Sequence, residues 1–184
     1  MRSVDDIDCI VKTLAGDVNA FSFIVNKYKN MVYTVVHKVV KVSENAEDVA
    51  QDAFLKAYQS LRSYKYESKF STWLCSIAYN EAVSFLRKNK QLPVSVENLD
   101  SGEFDDYLEE EQDVCYPEEM IANLQQAIKM LTDNEALIIH LYYNMDNSVD
   151  EVSQILGISA SNVKIKLFRT RKKLLSILNN YKNG

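Results

Sequence analysis

The chain has 184 residues, of which only four are Gly and two are Pro. Sheet-rich folds need many turns built from Gly, Pro, Asn and Asp, so this shortage argues against a β-sandwich, a barrel or a Rossmann-type domain. The apolar fraction of 47% is enough for packed cores and excludes global disorder. The composition therefore predicts an all-α fold.

The cysteines and histidines show no pattern of a metal site or a catalytic centre. Cys9, Cys75 and Cys115 are far apart in sequence and lack metal-binding spacing, and His37 and His140 each stand alone in apolar helical sequence. The N-terminus has no apolar signal segment, and no run of 18 apolar residues occurs. We expect a reduced, cytoplasmic protein that is not an enzyme and has no metal, no cofactor and no small-molecule substrate.

The net charge of −5 is distributed very unevenly along the chain. Residues 1–92 carry +3, residues 93–118 carry −10, and residues 119–184 carry +2, with Pro93 and Pro117 bounding the acidic stretch. This pattern predicts two small helical domains, 1–92 and 119–184, joined by an acidic linker over 93–118. The linker is either a solvated spacer or a segment that docks in a basic channel of a partner.

Residues 45–61 form a strongly amphipathic helix in the predicted N-terminal domain. Its apolar stripe consists of Val49, Ala50, Ala53, Phe54, Ala57, Tyr58 and Leu61. The opposite face carries Asp48, Gln51, Asp52, Leu55 and Gln59, so two carboxylates four residues apart repel each other beside a leucine in water. That face is either a chance pattern or a docking surface.

Residues 61–91 carry aromatic and basic residues that alternate along the chain. Ser71 or Thr72 is expected to cap a helix that begins near Trp73. One face of this helix offers a ring for stacking, polar groups for base edges and a cation for phosphate, which suits single-stranded DNA. Its members are Trp73, Ser76, Asn80, Ser84 and Arg87. The alternative is an ordinary core helix with solvated polar residues.

The C-terminal part has the pattern of a helix-turn-helix. Ser148 is placed to start a short helix, Gly157 to form the turn, and Ser159 to cap a longer basic helix. Such a second helix enters the major groove, so Asn162 can read a base edge while the cationic side chains bind phosphate or guanine. These cations are Lys164, Lys166, Arg169 and Arg171. Ile165 and Phe168 are expected to be partly exposed on this helix.

Three segments in this order resemble the extracytoplasmic-function (ECF) sigma factors, which direct bacterial RNA polymerase to promoters. They are AEDVAQDAFLKAYQSL at residues 46–61, FSTWLCSIAYNEAVSFLRK at 70–88, and LTDNEALIIHLYY at 131–143 with FRTRKKL at 168–174. The resemblance covers nearly the whole chain. Ser76 departs from an arginine that is frequent in the family, and Ser153 from a small alanine.

The resemblance implies three groups of site residues. The residues that correspond to the core-polymerase contact are Asp48, Gln51, Asp52 and Leu55. The minus-10 element falls on Ser68, Lys69, Phe70, Ser71, Trp73, Asn80, Ser84 and Arg87, of which the loop residues and Trp73 are candidates for capturing a flipped base. The minus-35 element falls on Ser161, Asn162, Lys164, Lys166, Arg169, Arg171 and Lys173.

The implied function is that of an alternative-type sigma factor, which binds core RNA polymerase and directs promoter recognition, melting and transcription initiation. Implied partners are core RNA polymerase, promoter DNA and an anti-sigma factor, often membrane-tethered. The alternative is a stand-alone helix-turn-helix regulator, which leaves the Asp48 and Leu55 face and the Trp73 helix without a role. A third possibility is an interaction module that sequesters another regulator.

Overall fold

The computed structural model describes residues 4–89 and 118–182, and in these ranges every regular element is helical. Eight α-helices occur there: α1 (Val4–Leu14), α2 (Val18–Val40), α3 (Ser43–Ser60), α4 (Phe70–Lys88), α5 (Glu118–Lys129), α6 (Asp133–Ile139), α7 (Val149–Leu156) and α8 (Ala160–Lys182). A 3₁₀ turn over Leu61–Ser63 follows α3, and a π-helical turn over His140–Asn144 continues α6. The all-α prediction is confirmed. The predicted linker lies outside the described residues, except for Glu118.

Helices α1 to α4 pack into an N-terminal bundle in which α2, α3 and α4 all contact one another. The side of α3 that faces α2 and α4 is rich in alanine, with Ala46, Ala53 and Ala57 fully buried. Short side chains let neighbouring helices approach closely, so α3 buries this stripe and turns its other side to solvent.

The C-terminal helices form the predicted helix-turn-helix. The Ser148 amide donates to Glu151 Oε2 at 2.9 Å and the Glu151 amide donates to Ser148 Oγ at 3.2 Å, a reciprocal capping box at the start of α7. Gly157 ends α7 in the left-handed region with φ of 66°. Ser159 Oγ accepts from the Asn162 amide at the start of α8. The roles predicted for Ser148, Gly157 and Ser159 are confirmed.

The two bundles pack against each other, which the sequence pattern did not indicate. Helix α7 contacts α4, and α6 contacts α2. Val35 of α2 and Cys75 of α4 are fully buried, and both belong to the apolar cluster built around Leu137, Val152 and Ile155. The core of the C-terminal bundle therefore continues into the N-terminal one.

The start of α4 differs from the prediction. The helix begins at Phe70 with Lys69 as its N-cap, three residues before Trp73, and neither Ser71 nor Thr72 caps it. Thr72 is instead 1% exposed and directs its hydroxyl to Glu151 of α7. The packing of α7 on this turn of α4 gives Thr72 a partner that no local pattern could reveal.

None of the helices within residues 4–89 and 118–182 has both the length and the apolar character needed to cross a bilayer. In the same ranges, no group of three or more His, Cys, Asp or Glu side chains is arranged to hold a metal ion.

Candidate functional site

The outer face of α3 is polar and acidic around one exposed leucine. Asp48, Gln51 and Asp52 are all exposed, and Leu55 keeps 56% of its surface accessible. Since Gln51 and Asp52 lie three and four positions from both Asp48 and Leu55, the four residues share one side of the helix. The exposure expected for this face is confirmed. It offers a partner two carboxylates and an apolar side chain on a rigid helix.

Beside this face, α3 is fixed to α4 by an ion pair. Lys56 of α3 pairs with Glu81 of α4, and the Glu81 side chain keeps only 21% of its surface accessible. The pair joins the C-terminal part of α3 to the middle of α4. The acidic face of α3 and the polar face of α4 belong to one bundle, since the two helices pack against each other.

Four aromatic rings pack together at the start of α4. Phe70 lies with its ring centroid 5.4 Å from Tyr64, 5.5 Å from Trp73 and 5.8 Å from Tyr28. Phe70 is only 4% exposed and is the first residue of α4, so the expectation that it lies in the preceding loop is wrong. Its ring is held inside the core because it opens α4 directly above the tyrosines of the bundle. Trp73 is half-buried at the edge of the same cluster.

The buried carboxylate of Asp6 on α1 contacts one ring of this cluster. Tyr28 donates its hydroxyl to Asp6 Oδ2 at 2.7 Å, and Lys27 Nζ lies 2.6 Å from Asp6 Oδ1. Burial and the hydrogen bond to Asp6 together raise the pKa of Tyr28 well above its usual range. Tyr28, one of the four rings, therefore stays protonated and links the cluster to α1 through its hydrogen bond to Asp6.

The other predicted minus-10 residues lie around this cluster with different degrees of exposure. Asn80 and Arg87 are exposed on α4, whereas Ser68, Lys69, Ser71 and Ser84 are half-buried. The loop before α4 is shaped by the Tyr64 hydroxyl, which donates to the Ser68 carbonyl at 2.7 Å. Lys69, Trp73, Asn80, Ser84 and Arg87 share one side of α4, which we call the polar strip, whereas Ser71 lies on another side of the helix.

Helix α7 contacts the beginning of this strip through polar groups. Lys69 Nζ lies 3.3 Å from both carboxylate oxygens of Glu151, and the Thr72 hydroxyl donates to Glu151 Oε1 at 3.3 Å. One turn further on, the Ser76 hydroxyl lies 3.4 Å from the Gln154 carbonyl. Burial alone would raise the pKa of Glu151, but the Ser148 amide, Lys69 and Thr72 outweigh it and lower that pKa. Sequence reasoning missed Glu151 because only the tertiary fold brings it to Lys69.

An open cleft lies next to these contacts. It has a volume of about 390 Å³ between the start of α4 and the π-helical turn, and is lined by Lys69, Tyr142, Tyr143, Asp146, Asn147, Ser148 and Glu151. Both bundles supply its walls, so its shape depends on how they are docked.

Helix α8 presents a cationic surface, since it contains seven Lys or Arg and no Asp or Glu. Ser161, Lys164, Arg169 and Arg171 are exposed, while Asn162, Lys166 and Lys173 are half-buried. Arg171 Nε donates to the Tyr143 hydroxyl at 2.7 Å, and its guanidinium lies 5.6 Å from the Tyr142 ring and 5.5 Å from the Tyr143 ring. Such a surface suits the phosphates and base edges of DNA.

Lys173 forms an ion pair within the C-terminal bundle. Its Nζ lies 2.7 Å from Glu135 Oε2, at the first turn of α6. Burial opposes ionisation of Glu135, but Lys173 and Thr132 more than compensate and lower the pKa of this carboxyl. The pair fixes α8 against α6.

One expectation for α8 is wrong and another is confirmed. Ile165 is only 4% exposed, whereas Phe168 is 48% exposed. Helix α8 contacts α5, α6 and α7, so more than one of its faces is covered, and a single apolar stripe underestimates its buried sector. Phe168 remains as an apolar side chain among the exposed cations.

The two bundles correspond to two known sequence families. Residues 24–91 match the model of Sigma-70 region 2, and residues 121–174 match the model of Sigma-70, region 4. The matches fall on α2 to α4 and on α5 to α8, which contain the surfaces described above.

Similar proteins extend this match over most of the chain. The ECF RNA polymerase sigma factor SigW of Bacillus subtilis (strain 168) is 33% identical over 166 residues, which cover 86% of this chain and 89% of that protein. The ECF RNA polymerase sigma-E factor of Escherichia coli (strain K12) is 29% identical, covering 86% of each.

Solved structures share the fold. In the complex of the sigma factor RpoE with the anti-sigma factor NepR from Bartonella quintana, one chain matches with a TM-score of 0.61 and 21% identity, covering 88% of this chain and 98% of that one. The structure of CnrH with the cytosolic domain of CnrY matches with a TM-score of 0.63 and 18% identity, covering 96% and 98%. The family models and the similarity to SigW together show that the chain belongs to the ECF sigma factors of the sigma-70 family.

Proposed function

We propose that this chain is a promoter-specificity subunit of bacterial RNA polymerase, an alternative-type sigma factor. It binds core polymerase and directs promoter recognition, melting and transcription initiation, acting in the cytoplasm by binding rather than by catalysis. The observation that carries this proposal is the presence, in one chain, of an exposed acidic face with a leucine on α3 and a cationic helix-turn-helix. A stand-alone regulator has no need of the first of these surfaces.

We propose a separate role for each of the two bundles. Residues 1–92 act as region 2, which binds polymerase and the minus-10 element. Residues 119–184 act as region 4, which binds the minus-35 element, and residues 93–118 connect them. The polymerase contact is Asp48, Gln51, Asp52 and Leu55, because their shared exposure on a rigid helix fits a basic and apolar partner surface.

The proposed minus-10 surface is the polar strip of α4 together with Ser68 and Ser71 near its start. Asn80 and Arg87 supply an exposed amide and a cation, and the half-buried members are Ser68, Lys69, Ser71, Trp73 and Ser84. Extruding a base from the duplex costs a few kcal/mol of unstacking, which stacking on an aromatic ring can offset. Trp73 is the candidate ring, since it lies at the edge of the aromatic cluster rather than inside it.

The proposed minus-35 surface is the cationic side of α8. Ser161 and Asn162 lie in its first turn, where a recognition helix contacts base edges, and Lys164, Lys166, Arg169 and Arg171 follow along the helix. Lys173 also belongs to this group, but it reaches a phosphate only by leaving Glu135.

Weak DNA binding by the free chain follows from its charge. The net charges of +3 and +2 on the two domains are small, and affinity for DNA rises with the number of phosphates neutralised. We therefore expect promoter binding to need polymerase.

We also propose regulation by an anti-sigma factor that covers the polymerase and DNA surfaces, by analogy with the RpoE and NepR complex.

Run-off transcription with purified core RNA polymerase on a promoter library tests the proposal. We expect the chain to support initiation and Asp52→Arg with Leu55→Arg to abolish co-elution with core polymerase, because the double variant reverses charge and removes the apolar contact. Glu67→Arg is the control for charge reversal, since Glu67 is exposed but lies in the loop before α4 and not on α3. Circular dichroism checks that both variants keep their helices.

Two outcomes would count against the proposal. One is failure of the chain to support initiation from any promoter in the library. The other is tight, sequence-specific DNA binding by the free chain, which would favour the stand-alone helix-turn-helix regulator.

A further inference from the structure

Trp73, the ring proposed above to stack on an extruded base, is held in place by a row of buried rings. Its indole lies with its centroid 5.5 Å from Phe70 and 5.3 Å from Tyr64, and Phe70 in turn lies 5.8 Å from Tyr28. The last three rings are between 4% and 9% exposed, whereas Trp73 is half-buried. Since close-packed side chains have little room to move independently, the buried rings determine where the ring at the edge lies.

The ring of Tyr28, at the far end of this row, is fixed by α1. The Tyr28 hydroxyl donates to Asp6 Oδ2 at 2.7 Å. Lys27 Nζ lies 2.6 Å from Asp6 Oδ1 and 5.3 Å from the centroid of the Tyr28 ring. Asp6 therefore holds the hydroxyl of Tyr28 directly and one face of its ring through Lys27. Asp6 itself is only 8% exposed, too deeply buried to contact DNA.

We propose that Asp6 is a positioning residue for the minus-10 surface, which acts through Tyr28 and Phe70 to hold Trp73 in the orientation that stacks on a base. This inference rests on the function proposed above, and it adds α1, which carries none of the proposed contact residues, to the elements that promoter melting needs. A ring that is already oriented loses less side-chain entropy when it stacks, so more of the stacking free energy offsets the unstacking of the base.

Two variants distinguish this role from a general contribution of α1 to stability. Ile10, one turn after Asp6 on α1, is 1% exposed and belongs to the same core. Ile10→Val removes one buried methyl group, so it weakens the packing of α1 but keeps the hydrogen bond between Asp6 and Tyr28. Asp6→Asn is the conservative variant, because its amide oxygen still accepts from the Tyr28 hydroxyl.

Fluorescence of Trp73, the only tryptophan in the chain, reports the orientation of the indole directly. We expect Asp6→Ala and Tyr28→Phe to raise the acrylamide quenching constant and to lower the fluorescence anisotropy, because the indole becomes more mobile and more accessible. Asp6→Asn and Ile10→Val should match the parent in both measurements. Equal quenching in Asp6→Ala and Ile10→Val, with the urea midpoint of each variant measured alongside, would overturn the proposal.

The consequence for function is measured on the complex of the chain with core polymerase, at a promoter that the chain uses in the run-off assay. Permanganate reactivity of melted thymines follows the rate of open-complex formation. We expect Asp6→Ala to slow opening about three- to fivefold, the size expected when one side chain has to be ordered on binding. Asp6→Asn and Ile10→Val should open at the parent rate. Equal slowing by Asp6→Asn and Asp6→Ala would contradict a role through the Tyr28 hydrogen bond.

A double-mutant cycle separates failure of this inference from failure of the proposed function. If Asp6 acts through Trp73, Asp6→Ala adds no further slowing to Trp73→Ala, because the ring that it positions is absent. Additive slowing would overturn the positioning role and leave the minus-10 surface in place. A parent opening rate in Trp73→Ala would instead remove Trp73 from the proposed minus-10 surface and overturn this inference with it.

Discussion

Arg171 is oriented before any nucleic acid is bound. Its Nε donates to the Tyr143 hydroxyl at 2.7 Å, and its guanidinium lies over the rings of Tyr142 and Tyr143. A guanidinium that is already held loses less side-chain entropy when it binds a phosphate or a guanine. Arg171 is therefore positioned by two side chains of the π-helical turn, Tyr142 and Tyr143.

His140 gives the stability of the folded state a dependence on pH. Burial lowers the pKa of His140 below its ordinary value of 6.5, and Lys38 of α2 lowers it further, while Asn144 acts weakly in the other direction. The folded state thus favours the neutral imidazole. Stability is fully present above pH 6.5 and falls as the pH drops below that value, because the unfolded state then binds the proton more readily.

We predict that the midpoint of urea unfolding decreases between about pH 7.5 and about pH 5.5, and that His140→Gln removes much of this decrease. Glu135 and Glu151 both have pKa values lowered from 4.5, so they titrate below this window. Unfolding followed by tryptophan fluorescence and circular dichroism measures the midpoint. An unchanged pH dependence in His140→Gln would show that another group is responsible.

At the scale of elements, the turn between α7 and α8 depends on a few local contacts. Gly157 adopts φ of 66°, and the Ser153 hydroxyl donates to the Ile158 carbonyl at 2.8 Å across the turn. Ser153, which departs from the alanine usual in the family, therefore gives this turn an additional hydrogen bond. These contacts set the angle at which α8 leaves α7.

We predict that Gly157→Ala destabilises the chain by about 1 kcal/mol, because a Cβ is disfavoured in the left-handed region. No atom lies within 4 Å of a Cβ added at this position, so the cost comes from the backbone and not from a clash. The melting temperature should fall by about 2–4 °C. Gly157→Asn is the comparison variant and should lose less, since asparagine tolerates this conformation better. Equal losses in the two variants would contradict the backbone explanation.

At the scale of the whole molecule, two valines on α2 belong to two different apolar clusters, one inside the N-terminal bundle and one shared between the bundles. Val32 and Val35 are both fully buried. Val32 belongs to the core of α1 to α4, whereas Val35 belongs to the cluster shared with the C-terminal bundle. The same truncation at the two positions therefore acts on different contacts.

We predict that Val35→Ala and Val32→Ala each cost about 2 kcal/mol of stability, since each removes two buried methyl groups and leaves a cavity. Only Val35→Ala should accelerate amide hydrogen exchange in α6 and α7, because only this residue packs against their cluster. Exchange measured peptide by peptide with mass spectrometry distinguishes the two. Identical exchange in α6 and α7 for both variants would mean that the bundles are not energetically coupled.

Local sequence patterns were enough to predict the fold class, the helix-turn-helix and the exposed face of α3. Scarce Gly and Pro together with regular apolar spacing were enough for an all-α fold, and the Ser148, Gly157 and Ser159 signals were enough for the helix-turn-helix, because caps and turns are decided by neighbouring residues. The exposed Asp48 and Leu55 side of α3 followed from the periodicity of a single helix. These features need only local sequence information.

Contacts between residues from distant parts of the chain followed from helix packing and not from local patterns. This packing buried Phe70 among Tyr28, Tyr64 and Trp73, it covered Ile165, and it joined Lys69 to Glu151, which is 82 positions away. Such partners follow from how helices pack, and packing depends on the shapes of several faces at once rather than on the period of one. The scarce Gly and Pro thus predicted the helices, whereas the docking of α7 on α4 decided which of their polar residues are available.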